Sequence, residues 1–184
     1  RGIVLDATGE SLYIADSSNR MIRKLVLATG DVSNFSGSGS APTSSIHDGS
    51  ALGARYSLPV DIALAPDGHF YVVDYRMYAV RKVAPDGSVT TFAGTRFNYG
   101  SADGALGVGR FSSVWNVAVE PSGSLLVSDN HGVRRVTTTG EIISVLGNVD
   151  SSGLADGFFD RARFATARAR PTGPARRRRR GARA

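Results

Sequence analysis

The chain has 184 residues, 41% of them hydrophobic, and a formal net charge of +6, a length typical of one domain. Residues 165–184 contain eight of the 22 Lys and Arg residues and no acid, which leaves 14 basic against 16 acidic residues elsewhere. The absence of cysteine excludes disulfides and thiolate metal sites. No apolar run approaches the roughly 18 residues that a membrane-spanning helix needs.

The first predicted unit covers residues 2–37. Four short apolar runs, at residues 2–6, 11–16, 21–27 and 31–35, are separated by turn sequences that contain Gly9 and Gly30. Short strands joined by tight turns predict a four-stranded antiparallel meander. A Ser- and Gly-rich loop then leads to the next unit, and it is longer than the usual connection of two to six residues.

The second unit, residues 59–94, is the most complete copy, and the third covers residues 114–147. Strands are predicted at 61–65, 70–74, 79–83 and 89–93, with Pro-Asp-Gly turns at 66–68 and 85–87. Asp16, Asp74 and Asp129 end the second strand of each unit, 58 and 55 residues apart. A period near 55 with four strands per unit is typical of β-propeller blades.

Each long loop ends in an Arg-aromatic pair that follows an Asp-Gly pair. The pairs are Arg55-Tyr56, Arg110-Phe111 and Arg163-Phe164. We expect them to anchor the loops, with the aromatic ring as a plug and the arginine hydrogen-bonded to carbonyl groups. Arg23, Arg81 and Arg134 share a register position on the third strands, where long side chains can pack between blades.

The sequence D-I-A-L-A-P-D-G-H-F-Y-V-V-D at residues 61–74, followed by A-V-R-K-V at 79–83, resembles the NHL-repeat family of β-propellers. The loop pattern D-G-x-x-x-x-x-R-F is similar to the long-loop subtype. The resemblance implies an all-β fold in which residues 1–164 form about three blades. Since propellers have four to eight blades, three repeats imply an open arc, apparently a fragment of a larger propeller.

The last twenty residues, 165–184, differ from the repeats. They are rich in arginine and lack apolar alternation, so we predict a disordered, low-complexity tail. The run at residues 176–180 also fits a nuclear-localisation or nucleic-acid-binding segment.

The candidate site residues favour structure over catalysis. Asp16, Asp74 and Asp129 precede turns, where Asp usually accepts backbone N–H bonds, and one carboxylate per blade offers too few oxygens for Ca²⁺. Asp61 and Asn116 share a register position with Gly2 on first strands, which line a propeller's central channel. Lactonase-type propellers, which this arrangement resembles, hold a divalent metal there with Asp, Asn and Glu, so these two residues are channel metal candidates.

These observations lead to a leading hypothesis and two alternatives. Each long loop joins a fourth strand to the next first strand, so the long loops should emerge at one end of the blades, the loop-rich face. We favour a non-catalytic interaction module without a cofactor, which binds a protein or peptide through this face. The first alternative is a lactonase- or lyase-like enzyme that uses Ca²⁺ or Zn²⁺ at Asp61 and Asn116. The second is RNA binding, which the near-neutral blades disfavour outside the arginine-rich tail. The open blade faces also predict self-association. The sequence indicates no compartment.

Overall fold

The computed structural model describes residues 2–41, 48–153, 155, 164, 165 and 167. These residues form three four-stranded antiparallel sheets, each with its strands in sequence order. The sheets are named blades 1, 2 and 3. The predicted all-β fold class is confirmed, and the described sheets do not close into a ring. The arginine-rich tail lies outside the described residues except for Ala165 and Ala167.

The strands match the predicted runs closely. Blade 1 contains β1 (Ile3–Leu5), β2 (Ser11–Asp16), β3 (Met21–Val26) and β4 (Val32–Ser36). Blade 2 contains β5 (Pro59–Leu64), β6 (Phe70–Asp74), β7 (Ala79–Val83) and β8 (Val89–Gly94). Blade 3 contains β9 (Val114–Val119), β10 (Leu125–Asp129), β11 (Gly132–Val136) and β12 (Ile142–Gly147). A single turn of 3₁₀ helix, Tyr75–Met77, joins β6 to β7. No helix in the described part of the chain is long and apolar enough to cross a membrane.

Each blade has a bulge at the same place between its third and fourth strands. The register shifts between Ile22 and Arg23, between Val80 and Arg81, and between Val133 and Arg134. One residue of the outer strand is therefore left unpaired, and in blades 1 and 2 it is a phenylalanine, Phe35 or Phe92. A bulge adds local twist, and here it recurs at each of the register-matched arginines.

Two apolar interfaces hold the blades side by side. Between blades 1 and 2, Tyr13 and Ile22 pack with Ile62, Val72 and other apolar residues. Between blades 2 and 3, a second core contains Tyr71 and Val80 from one side and Val117, Leu125 and Val136 from the other. Each sheet thus buries a face that it could not bury alone.

The remaining face of blade 1 is uncovered. Ile3 and Val32 are 59% and 52% exposed, although their counterparts in blade 2, Ile62 and Val89, are 4% and 1% exposed. Leu5, Leu12, Leu25 and Val32 follow one another across this face in the strand pairing. The arc is therefore open at an apolar sheet face of the kind that blades 2 and 3 bury.

Candidate functional site

The long loops begin and end at one end of the blades, which is here called the loop end. Their middle parts do not stay there. Gly49 pairs with Val89, and Gly104 pairs with Ile142, and both partners start an outer strand at the opposite, short-turn end. The long loops were expected to emerge at one face of the blades, and their first and last residues do lie there. Their middle parts instead run along the outer edges of the sheets, between neighbouring blades.

A buried ion pair connects the first long loop to blade 2. Arg81 Nη2 lies 2.6 Å from Asp48 Oδ1, and the Arg81 side chain has no exposed surface. Arg81 Nη1 also donates to the Arg55 carbonyl at 3.2 Å. Desolvation opposes ionisation of Asp48, but hydrogen bonds from Thr91 and the charge of Arg81 outweigh it and lower the Asp48 pKa.

The second long loop repeats this arrangement on blade 3. Arg134 is fully buried, and its Nη2 donates to Asp103 Oδ1 at 2.5 Å and to the Ala102 carbonyl at 3.2 Å. Its Nη1 donates to the Arg110 carbonyl at 3.4 Å and to Asp129 at 3.2 Å. Arg23 of blade 1 lies on the uncovered face, where it is only partly buried, and its Nε donates to the Ser33 carbonyl.

The predicted turn residues Asp74 and Asp129 bind the ends of the long loops. Asp74 accepts backbone N–H bonds from Ser57 and Leu58 at 2.8 and 2.7 Å, and Asp129 accepts the equivalent bonds in blade 3 from residues 112 and 113. Burial raises the pKa of both carboxyl groups. The backbone hydrogen bonds and the nearby arginine lower it, but burial is the larger effect. Asp16 instead bonds within its own turn, to Asn19.

In the first two predicted anchor pairs, the aromatic residues are more deeply buried than the arginines. Tyr56 and Phe111 are fully buried, and a Cβ on Gly94 would lie 2.9 Å from Cδ2 of Phe111. Tyr56 Oη also lies 3.0 Å from Ser36 Oγ. The Arg55 side chain donates a 3.4 Å bond to the Ala41 carbonyl, and Arg110 is exposed.

The third predicted anchor pair is only partly described. Arg163 lies outside the described residues. Phe164 lies against Gly147, and its carbonyl accepts from the Gly153 N–H at 3.1 Å.

Asp61 and Asn116 lie side by side, as their shared register predicts. Asp61 Oδ2 accepts from Asn116 Nδ2 at 3.2 Å and from the Val117 N–H at 3.0 Å. A Cβ on Gly2 would lie 2.0 Å from Asp61 Oδ1, so glycine leaves the space that this carboxylate fills. Asp61 therefore lies between the neighbouring first strands, against Gly2 of blade 1 and hydrogen-bonded to Asn116 and Val117 of blade 3.

The described residues bring no three His, Asp or Glu side chains together as a potential metal site. His69 lies in a turn beside Asp67, with Nδ1 and Oδ2 3.1 Å apart. His47 lies outside the described residues. The metal role considered for Asp61 and Asn116 stays a prediction.

Sequence reasoning missed an aromatic patch at the loop end of blade 2, formed by Tyr75, Tyr78, Phe97, Tyr99 and Trp115. The rings of Tyr75 and Trp115 have centroids 4.3 Å apart, and those of Tyr78 and Tyr99 are 5.8 Å apart. The Phe97 N–H donates to the Met77 carbonyl, which fixes the loop beside the 3₁₀ turn. Phe97 and Tyr99 are 48% and 68% exposed.

The blade architecture does not require these aromatic rings. The positions that match Tyr75 and Tyr78 in blade 1 hold Ser17 and Arg20, and Val60 of blade 2 matches Trp115. Arg20 and Tyr78 have the same left-handed backbone, with φ of 55° and 52°, so the turn forms without the tyrosine. Comparison of the repeats for differences, rather than for matches, would have revealed this patch.

The comparisons with known proteins support the propeller architecture. No protein-family model matches the chain. A protein of unknown function from Bacteroides thetaiotaomicron superposes with a TM-score of 0.73 at 23% identity, over 90% of this chain and 40% of that one. An auxiliary nutrient binding protein from the same organism gives 0.69 at 16% identity, with the same coverage of 90% and 40%.

Of two further proteins, one superposes less closely and the other is much longer than this chain. Virginiamycin B lyase from Staphylococcus aureus gives a TM-score of 0.51 at 16% identity, over 78% of this chain and 40% of that one. Protein SUPPRESSOR OF QUENCHING 1, chloroplastic, from Arabidopsis thaliana is 30% identical over 136 residues, which are 71% of this chain and 13% of that protein. The chain thus spans two fifths or less of the length of these proteins.

Proposed function

We propose that this chain forms part of an NHL-type β-propeller that binds a protein or peptide, without catalysis, through the aromatic patch at its loop end. The observation that carries the proposal is the exposure of Phe97 and Tyr99 in a loop that is bonded to the 3₁₀ turn, with the Tyr99 ring 5.8 Å from the Tyr78 ring. Contiguous exposed apolar groups are typical of interaction sites. Binding by a protein that shares this architecture is also consistent with the nutrient-binding neighbour.

The composition of the patch fits a protein interface. Tyr, Trp and Arg are the residues enriched at the energetic centres of such interfaces, and the exposed Arg76 lies in the same turn between Tyr75 and Tyr78. Phe97 and Tyr99 are 48% and 68% exposed, so a partner that covers either ring gains only part of the roughly 1.5–3 kcal/mol of a complete burial. The Tyr75 and Trp115 rings contact each other and the Phe97 backbone is bonded to Met77, so part of the patch is already ordered before binding.

The perturbed carboxyl groups support a structural role in preference to a catalytic one. Asp48, Asp74, Asp103 and Asp129 have shifted pKa values, and all four are hydrogen-bonded in loop-to-blade contacts. Asp61 has its carboxylate in contact with Asn116 and Val117. A reacting group would need to face a substrate-sized space, whereas these groups are occupied with blade assembly.

The test is selection of binders from a phage-displayed random peptide library on the wild-type protein. The proposal predicts peptides that protect residues 75–78 and 97–99 from hydrogen exchange. Selected peptides that protect only other surfaces would contradict it.

A further inference from the structure

A second concave site lies at the short-turn end, opposite the aromatic patch. It is a cavity of about 740 Å³, within the range of about 300–1,000 Å³ that is typical of small-molecule sites. The first turns of all three blades contribute to its wall, through residues that include Asp6, Pro66 and Pro121.

The interior of this cavity is predominantly apolar. Tyr13, Leu64 and Phe70 line it together with the prolines of the turns. The rings of Tyr13 and Phe70 have centroids 4.4 Å apart, and Phe35 packs on both of them. This aromatic cluster belongs to the interface between blades 1 and 2, so one wall of the cavity is part of the rigid core.

The charged residues that line the cavity are acidic, namely Asp6 and Glu120. Among the residues that the structure describes, no Lys, Arg or His lines it, although the Lys24 ammonium lies 5.7 Å from the centre of the Tyr13 ring at its wall. Glu120 is held by Arg135 through two bonds of 2.8 Å, which compensates its charge. Asp6 has no such ion pair with a described residue, and it accepts bonds from the Glu10 N–H and the Thr8 hydroxyl that favour its ionised form.

We propose that this cavity binds a small apolar ligand that carries one cationic amine, with the amine beside Asp6 and the apolar body against Leu64, Phe70 and Tyr13. The carboxylate supplies a charge-assisted hydrogen bond, and the apolar wall supplies the burial. Anionic ligands are disfavoured because the lining residues offer no compensating positive charge. This site is independent of the aromatic patch, because the two lie at opposite ends of the blades.

The experiment titrates three probes of similar shape, 2-phenylethylamine, 2-phenylethanol and phenylacetate, into the 184-residue chain and follows amide shifts by NMR. The amine is expected to bind about two- to fivefold more tightly than the alcohol, because Asp6 is exposed to solvent, and the acid is expected to bind more weakly than either. Asp6→Asn should reduce amine binding to the level of the alcohol. Glu141→Gln, an exposed carboxylate outside the cavity, should leave it unchanged.

Because Asp6 also hydrogen-bonds its own turn, a second variant tests the cavity at a different residue. Ala7 is exposed and lines the cavity, so Ala7→Trp fills the space without entering the core. It should abolish binding of all three probes while the unfolding midpoint is retained. Equal affinity for the three probes, or amine binding that survives either variant, would overturn the proposal.

Discussion

Arg81 and Asp48 form an ion pair of 2.6 Å across the boundary between the first long loop and blade 2. The guanidinium is completely buried, whereas 29% of the Asp48 side chain is exposed. Asp103 and Arg134 repeat the pair one blade later. The recurrence indicates that the Asp-Gly segments of the first two long loops supply the counter-charge for a buried arginine on the blade that follows.

Removal of the Asp48 carboxylate should therefore destabilise the protein. In Asp48→Ala, Arg81 keeps its carbonyl bond to Arg55 and its longer ion pair of 3.9 Å with Asp74, but it loses its closest charge partner. Weaker compensation of a buried charge is costly. We expect a loss of about 2–3 kcal/mol in the free energy of unfolding, measured by urea denaturation. Asp150→Ala, at an exposed position, should change it by less than about 0.5 kcal/mol. Equal losses in both variants would contradict this role.

The same carboxylate should make stability depend on pH. The pKa of Asp48 is lowered in the folded state, so its contribution is present above the unfolded value of about 3.9 and is lost as pH falls through the lower folded value. The difference in unfolding free energy between wild type and Asp48→Asn should therefore be largest near neutral pH and shrink below about pH 4. A difference that stays constant across urea titrations at these pH values would show that Asp48 is not responsible.

A side chain at Gly94 should destabilise the protein more than a side chain at Gly9. The φ of Gly94 is 91°, and a Cβ there would lie 2.3 Å from the Tyr78 carbonyl oxygen. Gly9 also has a positive φ, 74°, but no atom lies within 4 Å of its Cβ position. Gly9→Ala should cost about 1–2 kcal/mol for backbone conformation alone, and Gly94→Ala should cost about 1–3 kcal/mol more for the clash. Thermal unfolding of both variants measures the difference, and equal midpoints would show that the strand end relaxes freely.

The uncovered face of blade 1 should promote self-association. Ile3 is 59% exposed on an apolar sheet face whose equivalents in blades 2 and 3 are buried. We expect sedimentation velocity to show oligomers that grow with concentration, and Ile3→Lys to weaken association at least about tenfold, because a lysine cannot be buried there without a partner. Leu106→Lys, on a loop and 52% exposed, is the matched control. Identical behaviour of the two variants would exclude this face.

The sequence predicted the repeated features of the fold because they recur with one period. The strands β2, β6 and β7 have the predicted bounds, and Asp61 and Asn116 meet because equal register places them on neighbouring first strands. The Asp-Gly pairs were visible too. The contacts of these Asp residues with Arg81 and Arg134 were not visible in the sequence. Those contacts depend on how each loop turns back along the edge of the next blade.

Features that occur in one blade alone could not be derived from the period. Tyr78 and Tyr99 are 21 residues apart and meet only because the second loop returns over the 3₁₀ turn. The cavity beside Asp6 requires the relative placement of three turns, which no local pattern encodes.

The most direct test of the proposed function is the affinity of a selected peptide for wild type and for the double variant Tyr78→Asn/Tyr99→Ser. Asn suits the left-handed backbone at residue 78, and Tyr99 is largely exposed. Because the Tyr78 ring packs against the core of blades 2 and 3, thermal unfolding of the double variant checks that the fold is retained. Calorimetry should show at least about tenfold weaker binding, equivalent to about 1.4 kcal/mol, and no change for the control Leu106→Ser. Unchanged affinity in the double variant would contradict a binding site at the aromatic patch.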